Sequence, residues 1–173
     1  LPKITDEDME LISEPIDIYG QNIYNEKCVR MGADGKPEIV KRYEGFPRAA
    51  AGWPLTPECL YWGPKFLYER YGKPIYITEN GMSCHDVVSL DGKVHDPNRI
   101  DCLARYLTQL KKAAEEIEVA GYFQWSFMDN FEWAKGYSDR FGLIFTDFRT
   151  QERIWKDSAY WYQNVIRTNV EEL

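Results

Sequence analysis

The feature that most constrains the fold is an alternation of short apolar strands with amphipathic helices along the chain. The apolar spacing near 3.6 residues marks the helices, and short apolar runs mark the strands. This alternation indicates parallel α/β structure, in which each helix connects two neighbouring strands. The predicted strands and helices follow one another at 16–22, 56–71, 74–79, 96–114, 121–125 and 157–170.

Local signals define the ends of the helix at 56–71. Thr56 is predicted to cap it, with Pro57 at the first helical position and Gly72 just beyond the end. Gly63-Pro64 predicts a kink or a break inside it, because proline lacks the amide hydrogen that a helix interior needs.

Three smaller predictions complete the pattern. A short helix at 5–12 has Thr5 and Asp8 at the spacing of a capping box. Asp96-Pro97 opens the most regular helix of the chain. The run at 142–147 is expected to be an extension or a short hairpin.

The connections favour a barrel over an open sheet. Loops after the strands are long, such as the one at 25–55, whereas those before the strands are short. Long loops after strands suit a (β/α)8 TIM barrel, whose active site lies at the carboxyl ends of its strands. A doubly wound sheet is the alternative, but its G-x-G-x-x-G turn is absent from the sequence.

About three β/α units cannot close a barrel, which needs eight strands in roughly 250 residues. We therefore expect residues 1–173 to form one part of a single barrel domain that is incomplete without further units. Three explanations stay open: a fragment of a longer protein, one half of a nicked or split protein, or an assembly of identical copies. The first residue is not Met, which processing or a cut inside a longer protein would explain.

Charge and composition argue against several partners. The net charge is −7, from 21 basic and 28 acidic residues, and the basic residues do not cluster. Nucleic acid and anionic membranes are therefore not expected as partners. No apolar run approaches the roughly 18 residues of a membrane helix. The four cysteines show no C-x-x-C spacing, which favours reduced thiols and a cytoplasmic location.

Aromatic residues make up 15% of the chain, with 6 Trp and 12 Tyr. A large aromatic core would account for them, and so would a carbohydrate site, where flat rings pack on the apolar faces of a pyranose. Composition alone does not decide between the two.

Glu79 is the first candidate for chemistry, because it ends the predicted strand at 74–79 and Gly81 follows closely. In a parallel barrel such a carboxylate points into the active site, and Gly81 would permit a sharp exit from the strand. A glutamate that caps a turn or helix would give the same local pattern.

The segment 125–133, Trp-Ser-Phe-Met-Asp-Asn-Phe-Glu-Trp, is the second candidate. It places Asp129, Asn130 and Glu132 among aromatic residues, and unpaired charges are costly to bury. A polar network that lines a sugar pocket would satisfy these groups. The alternative is the start of an aromatic helix with Asp129 as its cap.

Together these motifs resemble glycoside hydrolase family 1, the β-glucosidase family. The resemblance rests on Thr-Glu-Asn-Gly at 78–81, the segment 125–133 and G-Y-S-x-R-F-G-L at 136–143, and it extends through nearly the whole chain. It implies that the chain is the C-terminal portion of a TIM barrel, its sixth to eighth β/α units. It also implies a retaining β-glycosidase that acts on β-glycosides or oligosaccharides without a cofactor.

The resemblance assigns the catalytic roles in this chain to two residues. Glu79 would be the nucleophile, and Tyr24 the tyrosine whose hydroxyl contacts it. The family usually has Asn-Tyr-Tyr where this chain has Asn22-Ile23-Tyr24. Ile23 is expected to change the packing rather than the chemistry.

The resemblance also assigns substrate contacts. Trp125 would lie under the sugar ring, Glu132 would accept from two glycone hydroxyls, and the Trp133 indole would donate to a third. Phe141 would line that subsite, Trp53 would be a platform for the leaving group, and Asn22 would be a polar contact in the same site.

The implied mechanism needs a second carboxyl group, about 5–5.5 Å from the nucleophile, as acid and base. In the family it comes from an Asn-Glu-Pro segment at the end of the fourth strand, and this chain has no such segment. Ser13-Glu14-Pro15 is similar but precedes the strand at 16–22, which puts Glu14 more than about 20 Å from the catalytic end. The chain alone is therefore expected to lack activity.

Two other readings stay open: a sugar-binding surface without turnover, and a barrel portion that associates through its exposed sheet edges. The N-terminal barrel segment or other copies of the chain are thus the expected partners. Because Glu132 would repel a phosphate, the substrate is expected to be non-phosphorylated. His85 and His95 are expected to be solvated loop residues, although Cys84 is adjacent, and no metal site is predicted.

Overall fold

The computed structural model describes residues 2–173 and contains four α-helices and seven short strands within that range. In chain order they are α1 (Asp6–Ile12), β1 (Tyr19–Asn22), β2 (Val29–Met31), β3 (Pro37–Ile39), α2 (Cys59–Tyr71), β4 (Ile75–Asn80), α3 (Pro97–Ala114), β5 (Val119–Gln124), β6 (Ile144–Thr146), β7 (Arg153–Trp155) and α4 (Asp157–Arg167).

The central sheet has the order β1-β4-β5, and both pairings are parallel. Strand order follows chain order, and α2 and α3 make the two crossovers. The predicted parallel α/β structure is therefore confirmed. Each crossover advances by one strand without the reversal that defines a doubly wound sheet.

The core lies between the sheet and its helices. Ile75 and Ile77 of β4 are fully buried against α2 and α3, where Leu60 and Leu107 pack on them. The apolar face of α3 is buried at Leu103, Tyr106, Leu107 and Leu110, whereas Ala114 at its end is exposed. On the opposite face of the sheet Thr78 is exposed, and Phe123 has 57% of its surface exposed. Residues 2–173 thus cover one face of the sheet and leave the other open.

The start of α2 differs from its prediction. Residues 57 and 58 form a turn and the helix begins at Cys59, so Thr56 is not its cap. The Thr56 hydroxyl instead accepts a hydrogen bond from the backbone N–H of Glu26 at 3.0 Å. Of the kink or break predicted at Gly63-Pro64, the break is wrong, because α2 runs continuously through Pro64. Pro64 is fully buried, so tertiary packing offsets the hydrogen bond that it cannot make.

Other local predictions are confirmed. Thr5 caps α1 in a reciprocal capping box with Asp8, α3 begins at Pro97, and Gly72 ends α2 in the left-handed conformation. The run at 142–147 contributes β6, which pairs with β7 in an antiparallel hairpin.

The loop at 25–55 holds a hairpin that the sequence did not predict. Strands β2 and β3 pair in it around Gly35, which has a positive φ of 75°. The first predicted strand, 16–22, is shorter than expected and begins at Tyr19.

All four cysteines are free thiols, as expected. Burial raises the pKa of both Cys59 and Cys102 to about 12, so these two core thiols stay protonated at neutral pH. Within residues 2–173, no helix combines the length and the apolar character that crossing a bilayer requires.

Candidate active site

Glu79 and Tyr24 meet at the carboxyl end of the parallel sheet. Asn22, the last residue of β1, is in register with Glu79 on β4, and Tyr24 follows two residues later. The Tyr24 hydroxyl donates a hydrogen bond to Glu79 Oε2 at 2.9 Å. Burial raises the pKa of Tyr24, and its bond to the Glu79 carboxylate raises it further, so the phenol remains a proton donor at neutral pH.

Two aromatic rings surround Tyr24. The Trp53 ring lies 5.0 Å from the Tyr24 ring between centroids, and the Phe141 ring lies 6.2 Å from it. Trp53 is 39% exposed and so presents a face to solvent, whereas Phe141 is 2% exposed and packs behind it. The structure thus brings together Tyr24, Trp53, Phe141 and Glu79, which come from four separate segments.

Gly81 is required because the end of a neighbouring strand passes very close to its backbone. A Cβ atom at this position would lie 1.9 Å from the carbonyl oxygen of Trp125. Only glycine therefore lets the backbone after Glu79 pass the end of β5. This contact brings the start of the segment 125–133 against the chain two residues after Glu79.

Trp125 and Glu132 are in contact, and Trp133 is apart from them. The Trp125 indole N–H donates to Glu132 Oε2 at 3.3 Å, and both side chains are half-buried. The Glu132 charge adds to the causes that raise the pKa of Tyr24, after burial and the bond to Glu79. Trp133 is 80% exposed.

Asn22 lies at the edge of this group. Its side chain is exposed, and its Oδ1 accepts a hydrogen bond from the Thr78 hydroxyl at 2.7 Å. Within residues 2–173 the amide N–H groups of Asn22 have no hydrogen-bond acceptor, so they remain available as donors.

Asp129 does not line the candidate pocket, and it does not cap a helix. It is 3% exposed, and it accepts hydrogen bonds from Lys156 Nζ at 2.8 Å and from Arg140 at 2.5 Å. It also accepts from the backbone N–H of Gly142 at 3.0 Å. The helix-cap interpretation of Asp129 is therefore wrong. A polar network does satisfy Asp129, but its cations come from outside the segment 125–133, which the sequence did not predict.

Asp129 belongs to a buried charge network that sequence reasoning missed. Lys156 is fully buried and also donates to Asp86 at 2.6 Å, and Arg99, equally buried, pairs with both Asp86 and Asp96. The charges within it balance, as buried ions require. Its members are Asp86, Asp96, Arg99, Asp129, Arg140 and Lys156.

The network ties together the segments that carry the site. Asp86 belongs to the loop after Glu79, Asp129 and Arg140 belong to the segment after β5, and Lys156 immediately precedes α4. Burial opposes ionisation of Asp86, but Arg99 and Lys156 hold its pKa below the usual value. The only signal in the sequence is the charged residues themselves, because their partners lie up to 70 residues away.

We expect Lys156→Met to lower the free energy of unfolding by about 3–5 kcal/mol, because it leaves two buried carboxylates without one of their cations. Thermal or urea unfolding followed by circular dichroism measures the change. Lys112→Met is the matched control, because Lys112 is exposed on α3. Equal stability of the two variants would show that Lys156 is not an essential member of the network.

Metal ligands are not assembled in the described chain. Within residues 2–173, no group of three or more His, Cys, Asp and Glu side chains is arranged to hold an ion. His95 instead bonds to Asp157 at 2.6 Å and to Asp91 at 3.1 Å, and these two carboxylates raise its pKa.

A carboxylate at the carboxyl end of a parallel strand lies where active sites of (β/α)8 barrels occur, and in a retaining glycoside hydrolase one of the two carboxyl groups is the nucleophile. Comparison with known proteins agrees with this class. The model of glycosyl hydrolase family 1 matches residues 1–171. The chain belongs to this family.

Curated relatives match with high identity over part of their length. Beta-glucosidase A of Thermotoga maritima is 47% identical over 98% of this chain, which covers 38% of that protein. A bifunctional beta-D-glucosidase/beta-D-fucosidase of Bifidobacterium breve is 42% identical over 94% of this chain and is covered to 40%. The chain therefore spans about two fifths of the length of these relatives.

Solved structures agree with the sequence comparisons. The beta-glucosidase from Thermotoga maritima in complex with castanospermine superposes with a TM-score of 0.88 at 47% identity. The match covers 100% of this chain and 39% of that one. The same enzyme in complex with glucoimidazole gives a TM-score of 0.85 at 49% identity.

Proposed function

We propose that this chain is the C-terminal part of a retaining β-glycosidase that hydrolyses terminal, non-phosphorylated β-D-glycosides. The observation that carries the proposal is the Tyr24–Glu79 pair at the strand ends, joined by a hydrogen bond of 2.9 Å. Membership of glycosyl hydrolase family 1 and the names of the relatives support the class of substrate.

In the proposed mechanism Glu79 attacks the anomeric carbon and forms a glycosyl ester as the glycosidic bond breaks, and a second carboxyl group protonates the departing oxygen. That group, now a carboxylate, takes a proton from the water that hydrolyses the ester, which releases the sugar and restores Glu79. The Tyr24 hydroxyl, held on Glu79 Oε2, fixes the orientation of the carboxylate and leaves Oε1 free to attack. Its high pKa keeps it a donor throughout. No cofactor is needed for this chemistry.

The proposed sugar contacts come from the family resemblance, and the geometry of several side chains supports them. Trp125 supplies a flat face for the pyranose, and its indole N–H steadies Glu132, which accepts glycone hydroxyls. Trp133 and Asn22, both exposed, supply further donors, and Trp53 offers its exposed face to the leaving group. Phe141 supports Trp53 and Tyr24 from behind.

The acid/base carboxyl group is proposed to come from outside the chain. Glu14 is exposed and lies before β1, at the end of the sheet opposite Glu79. Residues 1–173 would then be one part of a single barrel domain, completed by the N-terminal units that the longer relatives have. Its cytoplasmic location stays a prediction.

The surface around the sheet supports completion by further units. β1 and β5 each have a partner on one side only within residues 2–173. An apolar groove of about 220 Å³ opens beside α4, lined by residues that include Phe127, Trp155 and Ile166. Further barrel units would pair these edges and fill this groove, and copies of the chain are the alternative occupant.

The proposal is tested with a completed enzyme, made by joining this chain to the N-terminal part of Beta-glucosidase A of Thermotoga maritima that it does not cover. Hydrolysis of p-nitrophenyl β-D-glucoside by this protein is the expected result. A folded completed enzyme without turnover that still binds glucose-like inhibitors would favour the alternative, a sugar-binding role.

Mass spectrometry of the source material would show whether a companion polypeptide with an Asn-Glu-Pro segment exists.

The negative charge of Glu132 predicts that the completed enzyme discriminates against phosphorylated sugars. Two unit charges 4 Å apart repel by roughly 4 kcal/mol at an effective dielectric constant of 20. We therefore expect the completed enzyme to prefer p-nitrophenyl glucoside over its 6-phospho form by at least about a hundredfold in kcat/KM. Glu132→Gln should reduce this difference in kcat/KM between the two substrates, because it removes the negative charge. A preference for the phosphosugar in the unchanged protein would contradict the prediction.

A further inference from the structure

The backbone ladders of the sheet are irregular at the candidate site. The register between β1 and β4 shifts between Gln21 and Asn22, and that between β4 and β5 shifts between Ile77 and Asn80. Such irregularities re-aim side chains next to active sites, but they also remove regular ladder bonds that would fix the backbone. After the shift the ladder keeps one bond, from the Ile23 N–H to the carbonyl oxygen of Glu79 at 2.9 Å, and side chains outside the ladder hold the two carbonyl groups on either side of Tyr24.

Asn80 supplies one such contact. Its side chain is 1% exposed, and its Nδ2 donates to the carbonyl oxygen of Ile23 at 2.8 Å. Its Oδ1 accepts from the Tyr122 hydroxyl of β5 at 2.8 Å. The amide is thus oriented by one neighbouring strand and fixes the carbonyl that immediately precedes Tyr24.

Tyr106 of α3 supplies the second contact. Its side chain is 2% exposed, and its hydroxyl donates to the carbonyl oxygen of Tyr24 at 2.9 Å. The same hydroxyl accepts from the backbone N–H of Thr56 at 2.8 Å, which fixes its direction. Neither side chain forms a hydrogen bond with the Glu79 carboxylate. Asn80 adjoins Glu79 in the chain, whereas Tyr106 lies on α3 and its hydroxyl bonds only to the backbone of Tyr24 and Thr56, which makes Tyr106 the cleaner test.

We propose that Asn80 and Tyr106 are positioning residues that clamp the two successive carbonyl groups around Tyr24 and thereby hold its hydroxyl on Glu79. This inference rests on the proposed function, because it assigns the clamp to the glycosylation step. With both carbonyl groups held, the backbone of Tyr24 cannot shift along β4. Loss of either bond would let the phenol move relative to the carboxylate.

A double-mutant cycle in the completed enzyme separates positioning from general support. Tyr106→Phe is expected to lower kcat by about 10- to 100-fold with little change in KM, the loss that a misplacement near 1 Å produces. In a Tyr24→Phe background the same substitution should lower kcat by less than about threefold. Asn80→Ala should behave in the same way and serves if Tyr106→Phe does not fold.

Tyr162→Phe is the matched control, because it is also a core tyrosine that packs near Tyr122. Burial raises the pKa of Tyr162 to about 12 without a contribution from a hydrogen bond. This variant should keep the unchanged kcat. Equal losses from Tyr106→Phe with and without the Tyr24 hydroxyl would overturn the proposal, and so would no loss in either background.

A crystal structure of the Tyr106→Phe completed enzyme gives a readout that does not depend on turnover. The Tyr24 hydroxyl should move beyond about 3.5 Å from Glu79, outside hydrogen-bond range. An unchanged distance of 2.9 Å would overturn the positioning role. If the completed enzyme is inactive, the proposed function fails, and this structure still decides whether the clamp exists.

Discussion

Replacement of Glu79 by glutamine is expected to lower kcat of the completed enzyme by a factor on the order of 10⁵, because a neutral amide cannot form the glycosyl ester. Glutamine keeps the size of the side chain and can still accept from Tyr24, so the site should stay intact. Binding of a glucose-like inhibitor, measured by calorimetry, should therefore remain detectable. Steady-state hydrolysis of p-nitrophenyl β-D-glucoside gives the rate.

Glu118→Gln is the control for the loss of one negative charge. Glu118 is exposed and immediately precedes β5, at the end of the sheet opposite Glu79. The Glu118→Gln variant should retain the kcat of the unchanged completed enzyme. A Glu79→Gln protein with a rate within tenfold of the unchanged one would exclude Glu79 as nucleophile.

The chain by itself is expected to show no glycosidase activity and no closed monomeric barrel. Loss of general acid catalysis alone forfeits about 10²–10⁴ in rate. The open face and the two free edges of the sheet also leave no enclosed pocket for the sugar. Size-exclusion chromatography with light scattering, run beside an activity assay on the purified chain, tests both statements.

Addition of the separate N-terminal part of Beta-glucosidase A should convert the inactive chain into a larger, active complex. The same mixture with the Glu79→Gln chain should stay inactive, which controls for activity from the added part. A well-folded and active monomer of 20.3 kDa would refute the account of an incomplete site.

Local chemistry made much of the fold predictable. α3 was placed correctly because Asp96-Pro97 and its apolar face act over neighbouring residues only. The start of α2 was misplaced because Thr56 bonds to Glu26, which is 30 residues away. The hairpin of β2 and β3 was missed, although Asp34-Gly35 is a turn signal, because each strand has only three residues and all of them are exposed, so no buried face marks it.

In the candidate site, too, features set by local sequence could be predicted, whereas contacts between distant residues could not. Glu79 and Trp125 lie at the ends of predicted strands, so their proximity follows from parallel pairing. The pairing of Asp129 with Lys156 joins residues 27 positions apart, and no local pattern reveals it. The tight approach of Gly81 to Trp125 is likewise a property of the packed sheet.

The most direct measurement of the central claim is covalent trapping of the completed enzyme with a 2-deoxy-2-fluoro β-glucoside. The fluorine slows hydrolysis of the glycosyl ester, so the labelled carboxylate can be identified by peptide mass spectrometry. We predict a single label on Glu79 and none in the Glu79→Gln protein. A label on any other carboxylate would contradict the assignment of Glu79 as the nucleophile.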